Sequence, residues 1–318
     1  MSHYLVTGGA GFIGSHLAEE LLRRGHQVRV LDNLSTGKAR NLDHLAGVEF
    51  VQGDIAELPV CVRAMEAIDY VLHQAAIPSV PRSVKDPVAS NRSNIDGSLN
   101  VLVAARDAGV RRVVYAGSSS AYGDTPTLPK REDMPTRPLS PYALQKLVAE
   151  QYCQMFTRLY GLETVTIRYF NVFGPRQDPG SPYSGVISLF STALLEGRRP
   201  TIYGDGGQTR DFTYVANVVD GVLRACEVPG IGGEVFNVAT GGRISLNELL
   251  ETMNAIVGTS IRADYAEART GDVHDSQADI TKAGTMLGYV PLVNLEEGLR
   301  RTLDWCRAEH IAVSRAAV

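Results

Sequence analysis

The sequence predicts an α/β chain: a doubly wound parallel sheet followed by a smaller C-terminal α/β lobe. Three observations predict it. Short apolar runs alternate with stretches of helical spacing through the first 170 residues. A glycine triplet, Gly8, Gly11 and Gly14, separates the first apolar run from the first helical stretch. Beyond residue 170 the alternation loosens, and Gly and Pro gather at 174–185 and 204–207. Strand–helix–strand repetition builds a parallel sheet, because each helix carries the chain back across it.

In chain order, residues 4–6 form the first strand. Residues 15–24 place Leu17, Leu21 and Leu22 on one helical side, and Gly25 stops that helix. Residues 27–31 form the second strand, and strand-like runs recur at 48–51, 70–72 and 112–115. Helices are expected at 98–108 and 141–160, and a further strand at 163–168. In the second half, 201–203 and 235–238 are short strands. The expected division is 1–170 for the first unit and 171–318 for the second, with 211–239 able to return to the first. No internal repeat or low-complexity tract occurs.

Composition narrows the class. The chain has 318 residues, 44% of them apolar and 21% charged, which fits a globular protein and excludes disorder or collagen. A net charge of -4 gives no basic field for nucleic acid or an anionic membrane. Cys61, Cys153, Cys226 and Cys306 form no Cys-x-x-Cys pair, so neither a metal site nor a redox motif is expected. Isolated thiols fit a reducing cytoplasm. No apolar run approaches the ~18 residues of a membrane span, and no signal peptide is read at the N-terminus.

The glycine loop points to a dinucleotide. Glycines after a strand let the backbone turn sharply and approach a pyrophosphate, which the free N–H groups of the following helix attract. The spacing is G-x-x-G-x-x-G rather than G-x-G-x-x-G. Asp32 ends the second strand 18 residues after Gly14, where an acid bonds the adenosine ribose in a Rossmann-type fold. Its carboxylate repels a 2′-phosphate, which favours NAD over NADP. Asp54 either reaches the adenine or forms a turn.

Tyr142 and Lys146 lie four apart at a helix start and share one face. A phenol with a pKa of ~10 is a poor base, and a nearby ammonium together with a nicotinamide cation is expected to favour the phenolate and lower it. Ser118, Ser119 and Ser120 end the strand beginning at Arg112, at the carboxyl edge where ligands bind. A tyrosine base, a lysine and a serine hydroxyl suffice to move a proton at a sugar hydroxyl.

At this point the chain resembles the extended short-chain dehydrogenase/reductases, and among them the nucleotide-sugar 4-epimerases. The segments that carry the likeness are 7–14 (TGGAGFIG), 32–37 (DNLSTG), 53–55 (GDI), 73–76 (HQAA), 142–146 (YALQK), 168–171 (RYFN), 210–212 (RDF) and 269–272 (RTGD). The resemblance implies a catalytic Ser118, Tyr142 as base and Lys146 on the nicotinamide ribose. It implies an NAD site of Gly8, Gly11, Phe12, Ile13, Gly14, Asp32, Asn33, Ser35, Thr36, Gly37, Asp54, Ile55, Gln74, Ala75, Ala76, Asn94 and Tyr169, besides Tyr142 and Lys146. It implies a UDP-sugar site of Ser79, Ser118, Ser119, Tyr142, Asn171, Val186, Tyr203, Arg210, Arg269, Asp272 and Ser276. It also implies a homodimer paired through two helices near 94–108 and 141–160.

Absences narrow the reaction. Dehydratases of this family carry an Asp-Glu pair where this chain has Ser119 and Ser120, and decarboxylases carry Glu at Ser120. Glucuronate 4-epimerases typically carry Thr at Asn171. What remains is hydride removal at C4 and its return, with NAD held as a catalytic group. Segments 77–83 and 171–179 resemble epimerases of UDP-N-acetylhexosamines, and Ser276 falls where a bulky aromatic would exclude an N-acetyl group. The alternatives are UDP-glucuronate 4-epimerisation, another oxidoreduction of a nucleotide sugar, or a non-catalytic NAD-binding module.

Overall fold

A computed structural model describes residues 1–178, 185–268 and 273–316, with side chains described through Glu309. Seven parallel strands form the central sheet. They are β1 (His3–Thr7), β2 (Gln27–Asp32), β3 (Glu49–Gln52), β4 (Tyr70–His73), β5 (Arg112–Ser118), β6 (Glu163–Tyr169) and β11 (Val235–Val238). Their spatial order is β11-β6-β5-β4-β1-β2-β3. The order reverses beside β1, so β1 and β4 open a crevice at their carboxyl ends. That topological switch is where open α/β sheets take ligands.

The central strands are apolar on both faces, as strands covered by helices must be. Leu5, Val6, Val71, Leu72, Val113 and Val114 are all fully buried. On one face pack α1 (Phe12–Arg23) and α8 (Val215–Glu227); on the other pack α2 (Leu58–Ala64), α5 (Gly97–Asp107) and α6 (Pro141–Tyr160). Two short helices, α3 (Val80–Lys85) and α4 (Pro87–Asn91), lead into a π-type turn, Arg92–Asp96, before α5. Between β4 and β5 the sequence predicts only the helix at 98–108, because apolar periodicity does not register two short helices defined by their caps. Ser79 and Asp86 cap α3 and α4 with side-chain oxygens.

Past β6 the elements shorten: β7 (Val172–Phe173), α7 (Val186–Leu195), β8 (Thr201–Tyr203), β9 (Thr209–Arg210) and β10 (Thr213–Tyr214). After β11 come β12 (Ile244–Ser245), α9 (Leu246–Val257), β13 (Asp264–Ala266), α10 (Thr281–Leu287) and α11 (Leu295–Ala316). They pair as three two-stranded ribbons, β10-β7, β12-β9 and β13-β8. Val235–Val238 is the seventh strand of the main sheet, in register with 166–169 of β6.

As the edge strand, β11 offers outward backbone groups, and two side chains cover them. Lys282 Nζ donates to Val235 C=O at 2.8 Å, and Glu132 Oε1 accepts Asn237 N–H at 2.7 Å. A buried ion pair, Arg168 on Glu150 at 2.6 Å, fastens α6 to β6. Cutting one partner of such a pair costs about 3–5 kcal/mol, because the survivor stays buried and charged.

Candidate active site

The first turn after β1 is set by backbone clearance. Gly8 has φ +67, and a Cβ there would lie 2.7 Å from Ala75 Cα and N. A Cβ on Gly14 would lie 2.2 Å from Gly8 O. Only glycine fits either place, so strand, loop and helix close to backbone contact. Gly11 donates its N–H to Gly8 O at 3.1 Å and is the N-cap of α1. It brings no capping side chain, so the helix start of Phe12, Ile13 and Gly14 presents its amides to an anion. This cradle fits a dinucleotide pyrophosphate.

Asp32 is buried at the end of β2. Its Oδ2 accepts Ala10 N–H at 3.0 Å and Oδ1 accepts Leu34 N–H at 2.8 Å. Burial pushes its carboxyl upward, and those two backbone bonds pull against it. Leu34 takes φ 58, a strained value for a residue with a Cβ, and the turn folds 33–38 back over the glycine loop. Lys38 N–H then reaches Ala10 C=O at 2.9 Å, beside Gly37. Asn33, Ser35 and Thr36 stand exposed along this turn. Asn33 donates to Asp54 Oδ2 at 3.1 Å, while Asp54 Oδ1 accepts Ala56 N–H at 2.8 Å. Asp54 is thus a turn former that also joins two loops, and Ile55 beside it is buried against Gly97.

Gln74, Ala75 and Ala76 follow β4 directly. Tyr169 O–H donates to Gln74 Oε1 at 2.9 Å, leaving the buried Gln74 Nε2 without a partner. Asn94 lies in the π-type turn, a geometry frequent at functional sites. It grips Ile77 by both amide atoms, Oδ1 accepting at 2.8 Å and Nδ2 donating at 3.3 Å, and also donates to Gln145 Oε1 at 2.9 Å.

The reactive centre lies where β5 meets the start of α6. Ser118 Oγ accepts Ser120 N–H at 3.2 Å and faces Ser120 Oγ at 2.8 Å. Burial raises the Tyr142 phenol above its ordinary range, and the Ser118 hydroxyl beside it acts the other way, favouring the phenolate. Ser119 opens the short turn Ser119–Tyr122. Lys146 is 5% exposed, and Nζ donates to Ala116 C=O at 2.8 Å and lies 5.0 Å from the Tyr115 ring centroid. Burial lowers its ammonium to about 8. The expectation of an ammonium lowering Tyr142 is therefore corrected for the chain by itself: the group that acts in that direction is Ser118.

Sequence reasoning missed three supports. Ser120 orients Ser118. Ser83 Oγ accepts Tyr142 N–H at 3.0 Å, tying the tyrosine to the helix that Ser79 caps. His73 was noticed within a motif and given no role. Only the register of β4 and β5 brings His73 beneath the site.

The nucleotide-sugar candidates gather around Asp211. Arg210 forms no ion pair with the neighbouring Asp211. The fully buried Asp211 carboxylate accepts Thr240 N–H and Oγ1–H at 3.0 and 2.6 Å, Gly241 N–H at 3.0 Å and Ala278 N–H at 3.3 Å. Asn171 Nδ2 donates to Asp211 C=O at 3.4 Å. Arg210 Nη1 donates to the carbonyls of Thr209 and His274 at 2.9 and 2.8 Å. Ser276 N–H bonds Thr209 C=O at 3.1 Å. Asn171, Arg210 and Ser276 are thus brought to one assembly. Val186 opens α7 and Tyr203 ends β8, on separate elements. Arg269 and Asp272 lie outside the described residues. Among the described residues no cluster of metal-binding side chains occurs, and no helix is long and apolar enough to cross a membrane.

The parallel sheet, the glycine cradle and the Ser–Tyr–Lys centre define a dinucleotide-dependent enzyme of the Rossmann type. The chain belongs to the NAD dependent epimerase/dehydratase family, whose model matches residues 4–239, and NAD is its cofactor. The UDP-glucose 4-epimerase of Mycolicibacterium smegmatis is 43% identical over 308 residues, covering 95% of this chain and 98% of that one. Among solved structures, the UDP-glucose 4-epimerase of Thermotoga maritima with UDP-glucose matches at 39% identity and TM-score 0.93, covering 97% of this chain and 99% of that one. The UDP-N-acetylglucosamine 4-epimerase of Methanobrevibacter ruminantium, in complex with UDP-N-acetylmuramic acid, matches at 38% identity, TM-score 0.93 and the same coverages.

Proposed function

We propose that this chain inverts C4 of UDP-hexoses, interconverting UDP-GlcNAc and UDP-GalNAc and also accepting UDP-Glc and UDP-Gal. The observation that carries this reading is the meeting of Ser118, at the carboxyl edge of β5, with Tyr142 and Lys146, one turn apart at the start of α6, where Ser83 and the Ala116 carbonyl hold them. Tyr142 takes the proton of the C4 hydroxyl. Ser118 bridges that hydroxyl and the phenol, and Ser120 holds Ser118 in its rotamer. Lys146 holds the nicotinamide ribose in this reading. Bound NAD would supply the hydride acceptor and donor for C4, so that the sugar could be reduced again on its other face.

Gly8, Gly11, Phe12, Ile13 and Gly14 hold the pyrophosphate in this reading, and Asp32 holds the adenosine ribose. Asn171 and Arg210 hold the UDP, and Ser276 leaves room for the acetamide. No net oxidation occurs, so NAD stays on the enzyme through the cycle. Leu144, Met155 and Leu159 expose an apolar stripe on α6, which supports a homodimer paired through α5 and α6.

The test is an epimerisation assay with UDP-GlcNAc, UDP-Glc and UDP-GlcA side by side. The expected order of kcat/KM places UDP-GlcNAc first and UDP-GlcA last. A faster UDP-GlcA reaction, or stoichiometric NADH release, would overturn the reading.

A further inference from the structure

Below the reactive centre runs a circuit of uncharged hydrogen bonds that the proposed chemistry does not use. Its middle is His73, the fully buried last residue of β4. His73 Nδ1 lies 2.7 Å from Thr7 Oγ1 at the end of β1, and Nε2 lies 2.9 Å from Ser98 Oγ on α5.

The network fixes the protons. Ser98 O–H donates to Asn94 C=O at 2.7 Å, which uses its single proton. The Ser98 oxygen can then only accept from the imidazole, so Nε2 carries the hydrogen. Nδ1 is left as an acceptor, and Thr7 O–H donates to it. Thr7 Oγ1 in turn accepts Ala75 N–H at 3.3 Å. Every bond runs one way: Ala75 to Thr7, Thr7 to His73, His73 to Ser98, Ser98 to Asn94. The Asn94 amide grips both backbone atoms of Ile77 and completes the circuit.

We propose that His73 is a positioning residue, a neutral Nε2–H imidazole that locks loop 74–79 and the Asn94 turn to the cofactor side of the site. The proposal rests on the reading of Ala75, Asn94 and Lys146 as cofactor contacts. The circuit clamps the loop at two points, Ala75 through Thr7 and Ile77 through Asn94. The same loop carries Gln74, Ala76 and Ser79. An imidazole suits the role because its donor and acceptor lie on opposite edges of one rigid ring. An amide side chain carries both on one carbon, facing the same way. An apolar residue would strand two buried hydroxyls.

The circuit is also protected from reversal. A protonated ring would turn two donors outward, and Thr7 would have to give up its own donation. Burial, aided by the Lys146 ammonium, holds the His73 pKa down to about 3. The Tyr115 ring, 5.5 Å from the imidazole, adds no opposite charge.

The experiment uses the full chain with NAD bound and ring-¹⁵N-labelled histidine. Among the seven histidines, the signal lost in His73→Gln should show the Nε2–H tautomer and stay unchanged from pH 5 to pH 8. An Nδ1–H tautomer, or titration within that range, would overturn the proposal. Thr7→Val keeps the shape and removes the hydroxyl, so NAD should bind about tenfold more weakly. Thr7→Ser should restore it. Ser98→Ala should lower kcat about tenfold with little change in KM for the UDP-sugar. Equal NAD affinity in Thr7→Val and Thr7→Ser would sink the proposal even if both fold. Should the wild type turn over no UDP-sugar, the functional reading fails, while the two Thr7 variants still decide whether His73 positions the NAD site.

Discussion

The two ends of the crevice are built on different principles. The cofactor end is backbone: Gly8 and Gly14 bring strand and helix within the reach of a Cβ, and Asp32 is held by two amides. The sugar-nucleotide end is assembled from short, separated pieces: backbone amides of 240, 241 and 278 converge on one carboxylate, Asp211, and the candidate side chains Asn171, Arg210 and Ser276 stand around it. Backbone geometry tolerates almost no substitution. Side-chain assemblies can change residue by residue, so this is the end where specificity can be retuned without disturbing cofactor binding.

The sharpest division between the two ends falls at Tyr142. Tyr142→Phe keeps the ring in place, so NAD binding and the unfolding midpoint should hold while turnover falls roughly 10²–10⁴-fold. Titration of NAD alongside steady-state kinetics reads both. A matching loss of NAD affinity would mean that the phenol is part of the cofactor end.

Ser276→Tyr tests the retunable end. A packed pocket yields little, so kcat/KM for UDP-GlcNAc should drop on the order of 10²-fold relative to UDP-Glc. Using the ratio within one variant cancels any folding defect. Equal loss on both substrates would place the gate elsewhere.

Asp32→Asn probes the backbone-built end. It keeps one acceptor for Ala10 or Leu34 and removes the charge. NAD should bind about tenfold more weakly and NADP relatively better, since charge-assisted bonds are roughly twice as strong as neutral ones. Isothermal titration with both cofactors decides it, and an unchanged NAD/NADP preference would remove Asp32 as the discriminator.

The smallest effect is on stability. Lys146 drops from 10.5 to about 8 in the folded chain because burial disfavours its charge. Between pH 8 and 10.5 the unfolded lysine keeps a proton that the folded one has lost, so Lys146's drag on stability fades as pH rises through that window. Lys146→Met should therefore raise the unfolding midpoint by a few degrees at pH 7, with the margin closing toward pH 10, while activity is lost. A margin that grows with pH would reverse this account.

The contrast also explains what the sequence disclosed. The cofactor end is contiguous: strand, glycine loop, helix and acid fall within 32 residues, and local periodicity reads them in order. Tyr142 and Lys146 were legible because one helix turn joins them. Asp211 as a hub was not, because its partners come from 240–241 and 278, and only the folded ribbons bring them together. Ser83 was likewise invisible, being an ordinary serine until a helix start is docked on it, and Ser120 was legible only as the place of an absent acid, not as the partner of Ser118. His73 was seen as part of a motif, but its bonds cross β1, β4 and α5, a register no single segment encodes. The helices before α5 were missed because capping, not hydrophobic spacing, defines them.

The side chains that cover β11 have a consequence for the order in which the chain is made. Glu132 is synthesised before that strand, but Lys282 arrives 44 residues after Val238. On a ribosome the sheet edge is therefore half open while α9 and its surroundings are being translated. An uncovered parallel edge is a template for a neighbouring nascent chain. A version of the protein ending at Gly258 should self-associate in light scattering, and Lys282→Ala in the full chain should do so far less, because α10 still shields the edge. If the shortened chain stays monodisperse, the edge is guarded by something made earlier.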